Sequence, residues 1–261
     1  MYDSAGARGA PTWLRRALSA LLAVVLLAAT AGAIAAEEEK EDKVDYLSLA
    51  ALLIRDGHYA RADAALRRVD TADQATDLAR FHTLEGLAKL YLEEYQSARE
   101  AFLNAQEQGQ DDPIVHVYLA QAHYNLGDYR RSLDALAAAG QAALDRPELY
   151  LMRSQAHWKL GERRAAWDAL EAGQQRFPAH GDFLRRKTFL LIQLELYQAA
   201  AEQGLEYVRS AEPGLEDYIA IGSALRRSRQ TDEALRFLEA AVLAFPHSRD
   251  ALLELAHTYL D

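Results

Sequence analysis

Histidine side chains are the first candidates for metal chemistry in this sequence. There are eight of them: His116 and His123 lie seven residues apart, and His157 follows His123 after 34 residues. A metal site needs several ligands that converge on one point, and neither an HExxH motif nor another ligand spacing of that kind occurs. The sequence therefore predicts no metal site.

Paired carboxylates are the other groups that could do acid–base chemistry. Glu93-Glu94, Asp111-Asp112 and Glu216-Asp217 fall at predicted turns and helix starts. Acidic side chains there stabilise helix N-termini and do not meet in the dry cleft that catalysis needs. The chain also has no cysteine, no glycine-rich phosphate loop and no nucleophile elbow. We expect a protein that is not an enzyme and needs no cofactor.

The charge of the chain argues against nucleic acid as a partner. The formal net charge is −10, and because the first 36 residues carry +2, the rest carries −12. Such a chain lacks the basic surface that binds a phosphate backbone. No nucleic-acid partner is expected.

Small residues recur along the chain at a nearly constant interval and show which elements must position any site. Two series step by 34 residues after a first step of 36. They are Ala62, Ala98, Ser132, Ala166, Ala200 and Ala234, and Ala50, Gly86, Ala120, Ser154, Thr188, Gly222 and Ala256. Self-similarity at this period indicates stacked helix-turn-helix units, none of which buries its apolar face alone.

The unit from Pro113 to Arg146 carries the pattern most clearly. Asp112 supplies an N-cap, Pro113 suits the first helical turn, and Gly127 permits the turn between two helices. With small residues at its eighth and twentieth places and glycine at its fifteenth, the unit resembles a tetratricopeptide repeat. That family also places a packing aromatic where His123 and His157 lie, which makes a structural role the simpler interpretation of both.

The resemblance implies an all-α fold, a right-handed α-solenoid of stacked helix-turn-helix units. We divide the array over 43–261 into repeats at 43–78, 79–112, 113–146, 147–180, 181–214 and 215–248, with a half repeat at 249–261. The fifth and sixth units depart from the pattern, because Glu195 and Arg229 stand where the turn glycine is expected and Gly204 takes an apolar place.

In this family, five places on the first helix of each repeat line a concave groove that binds partners. Mapped onto this chain, they give the candidate groove residues Tyr91, Gln121, Tyr124, Asn125, Gln155, Trp158, Lys159, Arg185, Phe189, Gln193, Arg226 and Arg227. Aromatic anchors beside polar neighbours suit an extended peptide, a partner helix or a glycan. The alternative is that Tyr124 and Trp158 only pack against the next repeat. The residues that clamp a terminal carboxylate in chaperone-binding members are not reproduced.

The first 36 residues have the pattern of an export signal. Arg15 and Arg16 precede an apolar run, and the segment AGAIAA then leads into acidic residues. This order is typical of a signal peptide, here with cleavage near Ala35 or Ala36. It predicts a charged lead-in at 37–42 and a periplasmic protein. The alternative is an uncleaved anchor in the inner membrane, because residues 17–36 form an apolar stretch of about the 20 residues that span a bilayer.

The segment from Arg249 to Asp261 matches the first helix of a further repeat. Leu252, Leu253 and Leu260 help to make it apolar on most sides, more than one preceding helix can cover. We expect this C-terminal docking face to bind a second copy of the chain or a dedicated partner. The alternative is that a following helix has been lost from the sequence.

These observations favour an interaction protein over the other function classes. The leading hypothesis is a non-enzymatic periplasmic scaffold for protein–protein interactions in a bacterial envelope assembly, such as polysaccharide export, secretion, a pilus or outer-membrane biogenesis. Its partners would be one or more envelope proteins or an extended peptide. The second hypothesis is a groove that binds a polysaccharide directly during export.

Overall fold

The computed structural model describes residues 44–261. The predicted signal segment at 1–36 and the lead-in at 37–42 lie outside these residues. Helices account for the regular structure of the described chain, which contains no β-strand. None of the helices within 44–261 has the length and apolar character that crossing a bilayer requires.

Fourteen helices follow one another in residues 44–261. They are α1 (Tyr46–Arg55), α2 (Tyr59–Leu66), α3 (Leu78–Tyr91), α4 (Tyr95–Glu107), α5 (Pro113–Asn125), α6 (Tyr129–Ala138), α7 (Gln141–Leu144), α8 (Pro147–Lys159), α9 (Arg163–Arg176), α10 (Asp182–Gln193), α11 (Tyr197–Ser210), α12 (Leu215–Arg227), α13 (Thr231–Ala244) and α14 (Arg249–Leu260). Apart from the short α7, they form six successive pairs followed by α14, and each helix packs against the next. The predicted all-α solenoid is confirmed.

The first helices of the pairs form one side of the array. Contacts join α1 with α3, α3 with α5, α10 with α12 and α12 with α14, whereas no comparable contacts join successive second helices within residues 44–261. At these four steps the first helices are therefore closer together than the second helices, as on the inner side of a curved array.

The recurring small residues lie where the two helices of a pair are closest. Ala98 and Ala166 are fully buried. A Cβ atom added to Gly86 would lie 2.6 Å from Phe102 Cδ1, and one added to Gly222 would lie 2.4 Å from Leu238 Cδ2. The 34-residue pattern thus marks contacts that leave no room for a larger side chain.

The turn inside each pair uses a left-handed backbone conformation. Gly127 has φ of +80° there, as a helix C-terminus of this kind favours. Glu93, Glu195 and Arg229 adopt φ values of 62°, 58° and 64° at the equivalent turns. The turn therefore forms at these three sites without glycine, because packing of the two helices fixes the chain direction.

Three local features depart from a regular array. The first pair ends in a loop, since α2 stops at Leu66 and α3 begins at Leu78, which accommodates the 36-residue first step. The second helix of the third pair breaks at Gly140, with φ of +53°, before the short α7. Gly204 in α11 makes room for Ile221 of the next pair, whose Cγ1 would lie 2.6 Å from an added Cβ atom.

Candidate partner-binding groove

Two adjoining hollows open on the surface formed by the first helices. The first, of about 400 Å³, is lined by Leu151, Gln155, Asp182, Arg185, Arg186, Phe189 and Glu216. The second, of about 370 Å³, is lined by Phe189, Leu215, Glu216, Ile219, Ala220 and Asp250. Because they share Phe189 and Glu216, they form one trough across α8, α10, α12 and α14. We call the two parts the arginine hollow and the apolar hollow.

Three of the predicted groove residues meet in the arginine hollow. Gln155 comes from α8, and Arg185 and Phe189 come from α10, one helical turn apart. The Arg185 guanidinium lies over the Phe189 ring, 5.1 Å from its centroid. The polar side chains of Gln155 and Arg185 thus lie in the same hollow as the aromatic ring of Phe189.

Arg185 is neutralised within the chain. Its Nε donates a hydrogen bond of 2.6 Å to Asp217 Oδ1, and its Nη2 donates one of 3.2 Å to Glu216 Oε2. Burial by itself lowers the pKa of Arg185, but the hydrogen bond and the charge of Asp217 outweigh burial and raise it. Asp217 is itself buried and accepts a hydrogen bond from the Gly214 backbone amide. Arg185 therefore links α10 to the start of α12.

The neighbouring Arg186 was not among the predicted groove residues. It also lines the hollow, and its Nε is buried without a hydrogen-bond partner. No ion pair among residues 44–261 includes it. Burial lowers the pKa of Arg186, the nearby Tyr124 opposes this shift, and the charge of Arg185 adds to it. A cation without a partner thus faces the trough.

The aromatic groove candidates contact other side chains close to them in the fold. None of them stacks on another candidate within residues 44–261. Tyr91 is 49% exposed and stacks on Tyr59 with centroids 4.4 Å apart. Tyr124 makes an edge contact with Tyr129 at 5.5 Å, and burial raises the pKa of its hydroxyl. Trp158 is half-buried and packs on the cluster that contains Tyr150, Leu170, Phe183 and Leu190.

The remaining amide and lysine candidates lie near the ends of first helices. Asn125 is exposed and donates from Nδ2 to the carbonyl of the half-buried Gln121 at 2.9 Å. Lys159 ends α8 and Gln193 ends α10, and both are exposed. None of these four lines the trough.

The two last groove candidates make contacts elsewhere. Arg226 donates from Nε to Glu254 Oε1 at 3.1 Å and also binds Asp261, so it ties α12 to α14. Arg227 lies over the Tyr197 ring, 4.7 Å from its centroid. Neither arginine lines the trough, and the structure gives both a role within the chain.

The histidines identified as possible ligands are spread along the described chain. His157 Nδ1 lies 2.6 Å from Glu162 Oε2, and His123 is buried with Nδ1 3.7 Å from Asp128 Oδ2. Within residues 44–261, no group of three or more histidine, aspartate or glutamate side chains is arranged to hold a metal ion.

The predicted C-terminal docking face is exposed. Leu252, Leu253 and Leu260 of α14 are 48%, 44% and 84% exposed, while Ala251 and Thr258 on the opposite side are buried. The helix therefore packs on the array with one side only.

Comparison with protein families matches two parts of the chain, residues 83–146 and residues 215–258, to models described as tetratricopeptide repeat. No curated protein sequence matches the chain.

Solved structures similar to this chain are helical repeat proteins. PilF of Pseudomonas aeruginosa has a TM-score of 0.61 at 14% identity, over 81% of this chain and 96% of its own. PilW, titled a type IV pilus biogenesis factor, has a TM-score of 0.61 at 16% identity, over 80% and 96%. Part of a TPR repeat-containing protein from Cytophaga hutchinsonii has a TM-score of 0.69 at 12% identity, over 81% and 84%. At these identities the likeness concerns the fold.

The family matches fall on helix pairs that repeat every 34 residues, and the same pairing continues through the rest of residues 44–261. The chain is therefore a tetratricopeptide repeat protein.

Proposed function

We propose that this chain is a non-enzymatic scaffold whose trough binds an extended segment of a partner protein in a bacterial envelope assembly. The trough carries the proposal, because it crosses four successive first helices and combines apolar surface with charged and amide side chains. Such a surface suits a chain segment that presents alternating side chains. The polar side chains of the trough fix the orientation of the bound segment, and its apolar side chains provide contact area with that segment.

The envelope setting has two supports. One is the pattern of residues 1–36, which predicts export to the periplasm. The other is the similarity to PilW, whose title names type IV pilus biogenesis. A pilus or secretion assembly is therefore the setting we favour within the envelope.

Site-specific photocrosslinking in living cells tests the partner surface. A photoreactive amino acid at Gln155, inside the arginine hollow, should give discrete protein adducts that mass spectrometry can identify. The same amino acid at Arg164, exposed on the second helix α9 and outside the trough, is the matched control. Adducts from Arg164 alone, or from neither position, would contradict the proposal.

The same experiment separates the two binding hypotheses. A polysaccharide ligand would shift the crosslinked protein to a smear that glycosidase treatment removes, whereas a protein partner gives bands that protease removes. We expect bands.

A reporter fusion tests the location independently of binding. Residues 1–45 fused to an enzyme that is active only after export should give activity, and the purified protein should begin near Ala36. An inactive fusion would contradict export, and an intact N-terminus in the membrane fraction would favour the anchor.

A further inference from the structure

We propose that the trough recognises an aspartate or glutamate side chain of the partner segment through Arg186, with an apolar side chain of the same segment in the apolar hollow. The inference rests on the proposed function and names the chemistry of the segment that the trough accepts.

Three consecutive cationic residues on α10 differ in their partners. Arg185 binds Asp217 and Glu216. The buried Lys187 donates from Nζ to Gln174 Oε1 at 2.7 Å and lies over the Trp167 ring. Arg186, between them, has a buried Nε without a partner and no ion pair within the described chain. The fold thus satisfies the two flanking cations and leaves Arg186 without an ion pair in the arginine hollow.

Two carboxylates also line this hollow, and neither forms an ion pair with Arg186. Glu216 accepts from Arg185. Asp182 precedes Arg186 by four residues, a spacing that favours an ion pair on a helix. Its carboxylate instead lies 3.6 Å from His180 Nδ1, with a side chain that is 59% exposed. Neither acid forms an ion pair with Arg186, so the hollow, whose two arginines and two carboxylates balance in charge, contains one cation that is not paired within residues 44–261.

Arg186 is half-buried, and its Nε is shielded from solvent without a hydrogen-bond partner, which destabilises the protein unless something compensates it. A carboxylate compensates it best, because its two oxygens match the fork of guanidinium N–H donors. The unpaired guanidinium of Arg186 therefore favours an acidic group over a neutral one.

The shape of the trough favours a side chain over a chain terminus. The trough continues past Phe189 into the apolar hollow, where Leu215, Ile219 and Ala220 form the apolar surface. On its other side, Tyr124 lies near Arg186. A segment that places a carboxylate at Arg186 can thus extend beyond it and lay an apolar side chain in the next hollow.

Selection from random twelve-residue peptides, displayed with their C-termini fused to the carrier, tests the inference with the purified protein. No displayed peptide has a free terminal carboxylate, so an enriched acid must be a side chain. We expect enrichment of aspartate or glutamate together with a nearby apolar residue. Enrichment without acidic residues would overturn this inference while leaving the scaffold in place. Failure to select any peptide would count against the proposed function as well.

Affinities measured by fluorescence polarisation then test Arg186 itself. Replacing the enriched acid by its amide should weaken binding about ten- to hundredfold, as loss of a charged hydrogen-bonded pair does. Arg186→Gln should weaken binding of the acidic peptide to the same extent. The acidic peptide and its amide variant should then bind this variant with equal affinity. Arg209→Gln removes the same charge from an exposed residue of α11 outside the trough and should change neither affinity. Equal affinities of both peptides for the unaltered protein would refute the proposal.

Thermal unfolding adds a readout that does not depend on peptide binding. Because Arg186 has no partner in the chain, Arg186→Gln should leave the melting temperature unchanged or raise it. Arg185→Gln should lower it, since it leaves Asp217 buried without its cation. A fall in melting temperature for Arg186→Gln equal to that for Arg185→Gln would show that Arg186 is structural and would refute the proposal.

Discussion

Neighbouring residues of one type can have opposite roles in this protein. Arg185 and Arg186 are adjacent on α10, yet Arg185 joins two repeats through Asp217 and Arg186 faces the trough without a partner. Helical positions one residue apart are separated by about 100° around the helix axis, so consecutive side chains meet different surroundings. The side chain that stabilises the array is therefore distinct from the one we assign to recognition.

That distinction could not be predicted from the sequence. Gln155, Arg185 and Phe189, which the repeat pattern gives as groove candidates, line one hollow because they lie on neighbouring first helices. The pattern did not indicate Arg186, because that residue does not occupy one of the five mapped places of its repeat. Arg226, by contrast, occupies a predicted groove position, but it forms ion pairs with Glu254 and Asp261 and does not line the trough. Such partners come from another helix, and only the three-dimensional packing determines them.

His123 should make stability depend on pH in the weakly acidic range. Burial lowers the pKa of this histidine, the Asp128 charge opposes the shift, and Arg99 and Arg131 add to it. The folded state thus binds a proton less readily than the unfolded state. This contribution to stability is fully present above the unfolded pKa of about 6.5 and is lost as the pH falls below it.

Denaturant unfolding at a series of pH values measures the effect. His123→Phe should flatten the decrease in stability as the pH falls below about 6.5, because the substituted ring does not titrate. His247→Phe alters an exposed histidine and is the control. An unchanged profile for His123→Phe would contradict the assignment.

At the scale of the helices, the turns carry strain that glycine would remove. Glu195 adopts φ of 58° at a position where other pairs use glycine. A left-handed residue with a Cβ atom costs roughly 1–2 kcal/mol, part of which glycine loses again through its greater unfolded-state entropy. Glu195→Gly should therefore stabilise the protein by about 0.5–1 kcal/mol, measured as a higher denaturation midpoint.

The reverse substitution is its matched test. Gly161 has φ of 76° at the turn one repeat earlier, so Gly161→Glu should lower the midpoint by a similar amount. A lower midpoint for Glu195→Gly would mean that the glutamate side chain stabilises the turn in another way.

Contacts within a helix pair should tolerate no added volume. Ala166 is fully buried on α9, and replacement by leucine adds three carbon atoms to a packed contact. We expect Ala166→Leu to destabilise the protein by roughly 1–3 kcal/mol. Ala172→Leu, on an exposed position of the same helix, should have little effect. Equal melting temperatures for both variants would contradict close packing at the recurring small residues.

The arrangement of helices was easier to predict than their interruptions. Small residues every 34 positions are visible in the sequence because each pair repeats the same contact, and the helix pairs follow from it. The break at Gly140 and the short α7 were not expected. A glycine inside an alanine-rich segment is compatible with a continuous helix. The break depends on local packing, which the 34-residue pattern does not predict.

At the scale of the whole molecule, the exposed side of α14 is the largest departure from an ordinary protein surface. Leu260 is 84% exposed, and Leu252, Leu253 and Tyr259 of the same helix are more than 40% exposed. Ala256, equivalent to small residues that a second helix covers in the other pairs, is exposed as well. Clustered apolar surface of this kind is typical of a contact surface, which a further helix of the array or another chain can cover.

We predict that this face binds the same face of a second copy, because twofold symmetric contacts are the commonest in homo-oligomers. Light scattering should show a dimer that dissociates on dilution. Leu253→Glu combined with Leu260→Glu should give a monomer, because each charge would be buried without a partner in the interface. Leu52→Glu places the same charge on a leucine of α1 that is 48% exposed at the other end of the described array. That control variant should remain a dimer, whereas its dissociation would indicate that α1 of one copy contacts α14 of the next. A monomer at every concentration before substitution would contradict self-association through this face.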